Sequence, residues 1–148
     1  MPDLSIENKK RQLNFHTIAG VDEAGRGPWA GPVYSAIVIL NEDHIPEGIN
    51  DSKKVSEKKR MELYEEILLN HEYGVGHASP EEIDRLNILE ATFLAMKRAL
   101  DNIIIKPDYI LVDGNLSPKF KIPHEAIIKG DSISMSIAAA SIIAKVER

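Results

Sequence analysis

Apolar positions along this chain change their period repeatedly, and the changes mark out its elements. Residues 1–14 are polar and read as a loose or short helical lead-in. The apolar runs over 16–22 and 33–40 read as two strands. Val33, Ile37, Val38 and Ile39 make the second nearly continuous, as in a strand buried on both faces. Pro46 and Gly48 place a loop over 41–50. Ser56 then caps a helix over 57–70, with Met61, Tyr64 and Leu68 on one face and Leu63 and Ile67 beside them. Residues 71–78 form a third, weaker strand whose glycines suit an edge or a bulge.

The second half alternates helix and strand. Ser79-Pro80-Glu81-Glu82 combines a cap, a proline at the first helical position and the glutamate of a capping box. Asn87 offers a second cap, so this helix is short. Leu89, Phe93, Met96 and Leu100 recur at helical spacing in the next one, which ends before Pro107. Such a stripe is read as core. YILVD over 109–113 is a buried strand stopped by Gly114, and 125–129 is another, stopped by Gly130. Ser132 or Ser134 starts a last helix with Ile133, Ile137, Ala140 and Ala144 on one side, where alanines permit close approach to a sheet. Three successive strands followed by helix–strand–helix crossings predict an α/β fold, a mixed sheet covered on both faces.

Composition narrows the class without deciding it. The 148 residues form one domain, 1–148, and a hydrophobic share of 43% with 28% charged is ordinary for a globular chain. Without cysteine there is no disulfide framework and no thiolate metal site. The N-terminus lacks the apolar core of a signal peptide, and no run is long enough to span a bilayer; a cytoplasmic location with no membrane partner is expected. The net charge of −5 argues weakly against a nucleic-acid partner, although Lys53, Lys54, Lys58, Lys59 and Arg60 lie close together.

The candidate chemistry lies where strands end in acid. Asp22 and Glu23 precede Gly25-Arg26-Gly27, Asp113 precedes Gly114, and Asp131 follows Gly130. In open α/β sheets sites collect outside the carboxyl ends of strands, so acids distant in sequence can converge there. Four close carboxylates raise one another's pKa, a conflict that divalent cations remove, and carboxylate oxygens are the ligands hard cations prefer. Two such ions about 3.5–4 Å apart would clamp both oxygens of a phosphoryl displacement. Each acid also has a plainer reading. Asp131 suits a helix cap and Asp113 an ordinary turn. Asp22 and Glu23, as strand neighbours, face opposite sides unless the chain bends. Other chemistries fit worse: His16, His44, His71, His77 and His124 show no zinc spacing, and there is no nucleophile elbow and no P-loop.

Val21-Asp22-Glu23-Ala24-Gly25-Arg26-Gly27 with Ala30-Gly31-Pro32 resembles the opening signature of ribonuclease HII. The resemblance continues through Asp51-Ser52-Lys53-Lys54, Val112-Asp113-Gly114 and Lys129-Gly130-Asp131 to SIAAASIIAKVER, covering the chain from about residue 16 onward. It implies a ribonuclease H-like fold with a five-stranded mixed sheet flanked by helices. It implies a metal-dependent endonuclease that hydrolyses the RNA strand of RNA–DNA hybrids and incises at ribonucleotides embedded in duplex DNA, leaving 5′-phosphate and 3′-hydroxyl ends. Asp22, Glu23, Asp113 and Asp131 match the family's catalytic carboxylates, which hold Mg2+ or Mn2+. Gly25, Arg26 and Gly27 match the segment that reads the 2′-hydroxyl at the junction, the group that distinguishes RNA from DNA. The resemblance also implies that Lys53 and Lys54 are phosphate contacts, which set position rather than sequence. A monomer with no obligate protein partner is expected.

Family members normally continue beyond the KVER helix into further helices and a tyrosine that packs on the sugar. Tyr34, Tyr64, Tyr73 and Tyr109 do not match that tyrosine, so a shortened chain or a naturally short form is expected. The alternatives are the sister ribonuclease HIII type, or a nucleic-acid-binding fragment with little cleavage.

Overall fold

The computed structural model describes residues 1–25, 31–49 and 54–148. Arg26, Gly27 and Lys53, all expected to touch substrate, lie outside the described residues.

Five strands form one sheet: β1 (Ile18–Ala24), β2 (Val33–Ile39), β3 (Glu72–Ala78), β4 (Tyr109–Asp113) and β5 (His124–Ile127). Their spatial order is β3-β2-β1-β4-β5. β1, β2 and β3 pair antiparallel as a meander, whereas β4 runs parallel to β1 and β5 parallel to β4. The mixed sheet expected from the hydrophobic pattern is therefore present, with β1 at its centre. The parallel half requires crossovers; two helices lie between β3 and β4, whereas β4 reaches β5 through residues 114–123 without a helix.

The helices are α1 (Ser5–Gln12), α2 (Glu57–Asn70), α3 (Pro80–Leu86), α4 (Ile88–Asn102) and α5 (Met135–Glu147). On one face α5 packs with α2 over β1 and β2, where Ala36, Val38, Leu63, Ile67, Ala139 and Ile143 are buried together. On the other face α4 covers Ala19, Val21, Ile37, Ile110 and Val112 through Met96, Ala99 and Ile103. Alternation along β1 thus sends Ala19 and Val21 toward α4, and Gly20 and Asp22 toward α5.

Close approach on each face is made possible by missing side chains. A Cβ at Gly20 would overlap the backbone of Ser136 and Ile137. At Gly74 and Gly76 it would strike the α4 backbone at Ala99 and Ala95. The glycines of β3 do mark an edge strand, as expected; their stricter role is to let α4 lie against the sheet. The alanines of α5 serve the same purpose, and Ala138, Ala139, Ala140 and Ala144 are all buried.

The caps fall largely where the sequence places them. Ser56 accepts from Lys59 N–H. Ser79 and Glu82 form the full capping box, and Glu82 also takes a two-pronged pair from Arg98 of α4 at 2.7 Å on each oxygen. Asn87 caps α4 and Ser134 caps α5. Two expectations need correction. Met61 is 47% exposed, because Leu63 and Ile67 define the buried face of α2. Ile133 is 41% exposed, since it lies in the bend ahead of α5 rather than on its packed side. The histidines serve structure: His71 bridges Asn41 N–H and the His44 carbonyl, and His77 stacks on Tyr34.

Candidate active site

The four acids come from three places. β1 does not stop at Asp22 but runs to Ala24, so both acids lie within the strand, and their side chains still come close enough for Glu23 to act directly on Asp22. Asp22 is 5% exposed, and its Oδ1 accepts from Glu23 N–H at 2.8 Å. Ser35 Oγ donates to the Asp22 carbonyl at 2.9 Å, which fastens this part of β1 to β2. Glu23 is partly buried and borders a cleft of about 180 Å³ that also touches Asp113, Thr92 and Phe93. The helical stripe read as core is core, with Met96 buried and Phe93 and Leu100 packed against it, and its Leu89, Phe93 and Met96 also wall this cleft.

Asp113 ends β4. The parallel register pairs Val21 with Val112, so the next residues, Asp22 and Asp113, stand side by side on the α5 face. Gly114 follows with φ +122, a conformation natural to glycine, and the chain turns away there.

Asp131 reaches the site by a tight turn. Lys129 is left-handed at φ 55, Gly130–Ser132 forms one turn of 3-10 helix, and Asp131 N–H donates to Asp113 Oδ1 at 3.3 Å. A Cβ on Gly130 would lie 2.6 Å from Ile137 Cδ1 and 3.2 Å from Asp113 Oδ1, so the turn approaches both closely and a side chain there would push Ile137 aside. Asp131 is not the cap of α5; Ser134 is, its hydroxyl accepting from Ile137 N–H at 3.2 Å.

These placements explain the electrostatics. Burial, then the charges of Glu23 and Asp113, push Asp22 well above the usual carboxylate range. Burial, then the charge of Asp131, raises Asp113. The carboxylates are packed at an electrostatic cost to one another, the conflict that a cation relieves. Among the described residues no three acids or histidines are drawn together tightly enough to make a closed cage for an ion. The donor set is nevertheless all carboxylate oxygen, which fits Mg2+ or Mn2+ rather than a soft metal.

Of the substrate-contact candidates, Gly25 has φ +107, and a Cβ on it would lie 2.6 Å from the Pro32 carbonyl. Lys54 is exposed ahead of α2. One participant that the sequence does not advertise is Glu7 of α1, which is 1% exposed and bonded to the start of α5. Its segment looks like a polar lead-in, and no local pattern signals the long-range contact.

A family model described as Ribonuclease HII matches residues 19–148. The ribonuclease HII of Ruegeria sp. (strain TM1040) is 53% identical over 148 residues, covering 99% of this chain and 65% of the relative. That match takes in nearly all of the lead-in, so the similarity begins well before residue 16. Among solved structures, the ribonuclease H2 from Pyrococcus horikoshii OT3 superimposes with a TM-score of 0.77 at 32% identity, over 90% of this chain and 72% of that one. The Archaeoglobus fulgidus ribonuclease HII, solved in complex with PCNA, gives a TM-score of 0.72 at 33% identity, over 90% and 73%. The fold is the expected ribonuclease H-like one.

Proposed function

The chain belongs to the ribonuclease HII family, and on that premise we propose that it hydrolyses the RNA strand of RNA–DNA hybrids and incises at ribonucleotides embedded in duplex DNA. The products carry 5′-phosphate and 3′-hydroxyl ends. The observation that supports this reading best is the side-by-side placement of Asp22 and Asp113 at the carboxyl ends of two adjacent parallel strands, with Asp131 bonded to Asp113.

Asp22, Glu23, Asp113 and Asp131 would hold Mg2+ or Mn2+, which when bound supplies charge neutralisation, an activated water and stabilisation of the leaving oxygen. The protein's own part is geometric. β1 and β4 hold Asp22 and Asp113 in a fixed register, and the Gly130 turn swings Asp131 onto Asp113. Gly25, Arg26 and Gly27 read the 2′-hydroxyl, and Lys53 and Lys54 hold phosphates. Such an enzyme works as a monomer in the cytoplasm and needs no obligate protein partner; among the described residues no helix is long and apolar enough to cross a membrane.

The test is cleavage of a duplex with one embedded ribonucleotide, with and without magnesium. Metal-dependent incision at the ribonucleotide is expected, with no cutting of an all-deoxy control. A folded, metal-loaded protein that leaves the ribonucleotide duplex and a long hybrid intact overturns the reading in favour of a binding fragment.

A further inference from the structure

The start of α5 is completed from the other end of the chain. A helix leaves its first amides without intrahelical partners, and α5 has these satisfied one by one. Asp3 accepts from Met135 N–H at 3.0 Å through its carbonyl, and Asp3 N–H donates to the Ile133 carbonyl at 3.1 Å. Glu7 Oε2 accepts from Ser136 N–H at 3.0 Å, from Ser136 Oγ at 2.6 Å and from Ser134 Oγ at 2.7 Å. Ser134 Oγ in turn accepts from Ile137 N–H at 3.2 Å.

Glu7 does more here than a helix start requires. Ser134 already caps α5, and a neutral cap carries little desolvation cost. Glu7 instead buries a carboxylate with three bonds on one oxygen, while its Oε1 is buried without a hydrogen-bond partner among the described residues. Burying such a group is costly unless it is fully bonded. Its charge is offset by the positive end of the α5 dipole, which it faces. The segment it grips is hemmed in on the other side by β1, where Gly20 leaves no room for a Cβ beside Ser136. Residues 133–136 are therefore held between α1 and the strand that carries Asp22. The turn bearing Asp131 ends at Ser134, where the Ser134 N–H donates to the Gly130 carbonyl at 2.7 Å.

We propose that Glu7 is a positioning residue for Asp131: by clamping Ser134 and Ser136 it sets the Gly130–Ser134 turn that holds Asp131 against Asp113. The proposal rests on the nuclease reading for its functional consequence but not for its structural one. Groups that orient metal-binding side chains typically cost about 10–100-fold in metal affinity or activity when removed.

The experiment compares wild type, Glu7→Ala, Glu7→Gln and Ser136→Ala. Amide hydrogen exchange is measured on the metal-free protein, manganese titration is followed by calorimetry, and kcat and KM are measured on a ribonucleotide-containing duplex. In Glu7→Ala the amides of residues 131–134 should exchange about tenfold faster than those of Leu63 and Ile67 in α2, each relative to wild type. Manganese affinity and kcat should fall about tenfold or more, with KM unchanged. Glu7→Gln keeps an oxygen for all three donors and should restore the turn. Uniform acceleration of all amides, or wild-type exchange and manganese affinity in Glu7→Ala, overturns the proposal. Should Glu7→Ala fail to fold, Ser136→Ala decides: selective acceleration at 131–134 supports the clamp, and a wild-type pattern refutes it. A wild type that fails to cleave while the exchange pattern follows Glu7 sinks the nuclease reading and leaves the clamp standing.

Discussion

Asp22 and Asp113 stand abreast on neighbouring parallel strands because Val21 and Val112 are register partners. Neither side chain can avoid the other, since each is fixed by a sheet ladder and by burial. In the metal-free protein burial is the first cause that raises both carboxyls; the charges of Glu23 and Asp113 add to it at Asp22, and that of Asp131 adds to it at Asp113.

Asp22→Asn should therefore separate stability from activity. Cleavage should fall roughly a hundredfold or more, the scale of losing a few kcal/mol of charge stabilisation. Metal-free stability should rise at neutral pH. Asp22 has a folded pKa above its unfolded one, so its stabilising share is present in acid and lost as pH rises through the folded value. The gain in the variant should shrink below the unfolded pKa, where the native aspartate is also neutral. Melts at pH 3.5 and pH 7.5 beside a cleavage assay check this; wild-type turnover in the variant would remove Asp22 from the site.

Gly20→Ala tests the contact between β1 and α5. The added methyl would overlap backbone at Ser136 and Ile137, which cannot rotate aside as a flexible side chain would. Overpacking of this kind costs about 3 kcal/mol or more, and the melting temperature should drop by roughly 10 °C. A melt within a degree or two of wild type would mean that α5 can shift outward at little cost.

The Glu82–Arg98 pair gives a pH-resolved prediction. The Arg98 guanidinium, helped by the Ser79 amide, lowers Glu82 from the usual 4.5 to about 2. A depressed acid contributes stability above its unfolded pKa and loses it as pH falls through the folded one, here between 4.5 and about 2. In a carboxyl NMR titration Glu82 should titrate near 2, and in Arg98→Ala it should return most of the way to 4.5. A wild-type midpoint near 4.5 would show that the pair is not held in solution.

Much of this protein is determined locally. Ser79, Glu82, Asn87 and Ser56 announce helix starts by side-chain chemistry that acts within a turn, and every one caps as its position implies. The strand periods and the order of elements follow from burial on one face or two, which a single chain segment already encodes. The acids, too, are legible as acids near strand ends beside glycine, Asp131 following its glycine where Asp113 precedes its own.

Only the tertiary structure decides which side chains meet. Strand alternation alone would separate Asp22 and Glu23, yet with β1 paired to β2 as far as Ala24 their side chains still interact. Asp131 is displaced from the cap of α5 by Ser134, because the left-handed Lys129 and bare Gly130 place it on Asp113 instead. Glu7 looks like any surface glutamate of a polar helix until α1 meets the start of α5 and buries it on Ser134 and Ser136. Contacts between distant segments cost loop entropy and are secured only by the packing of the whole domain, so no local pattern of residues announces them.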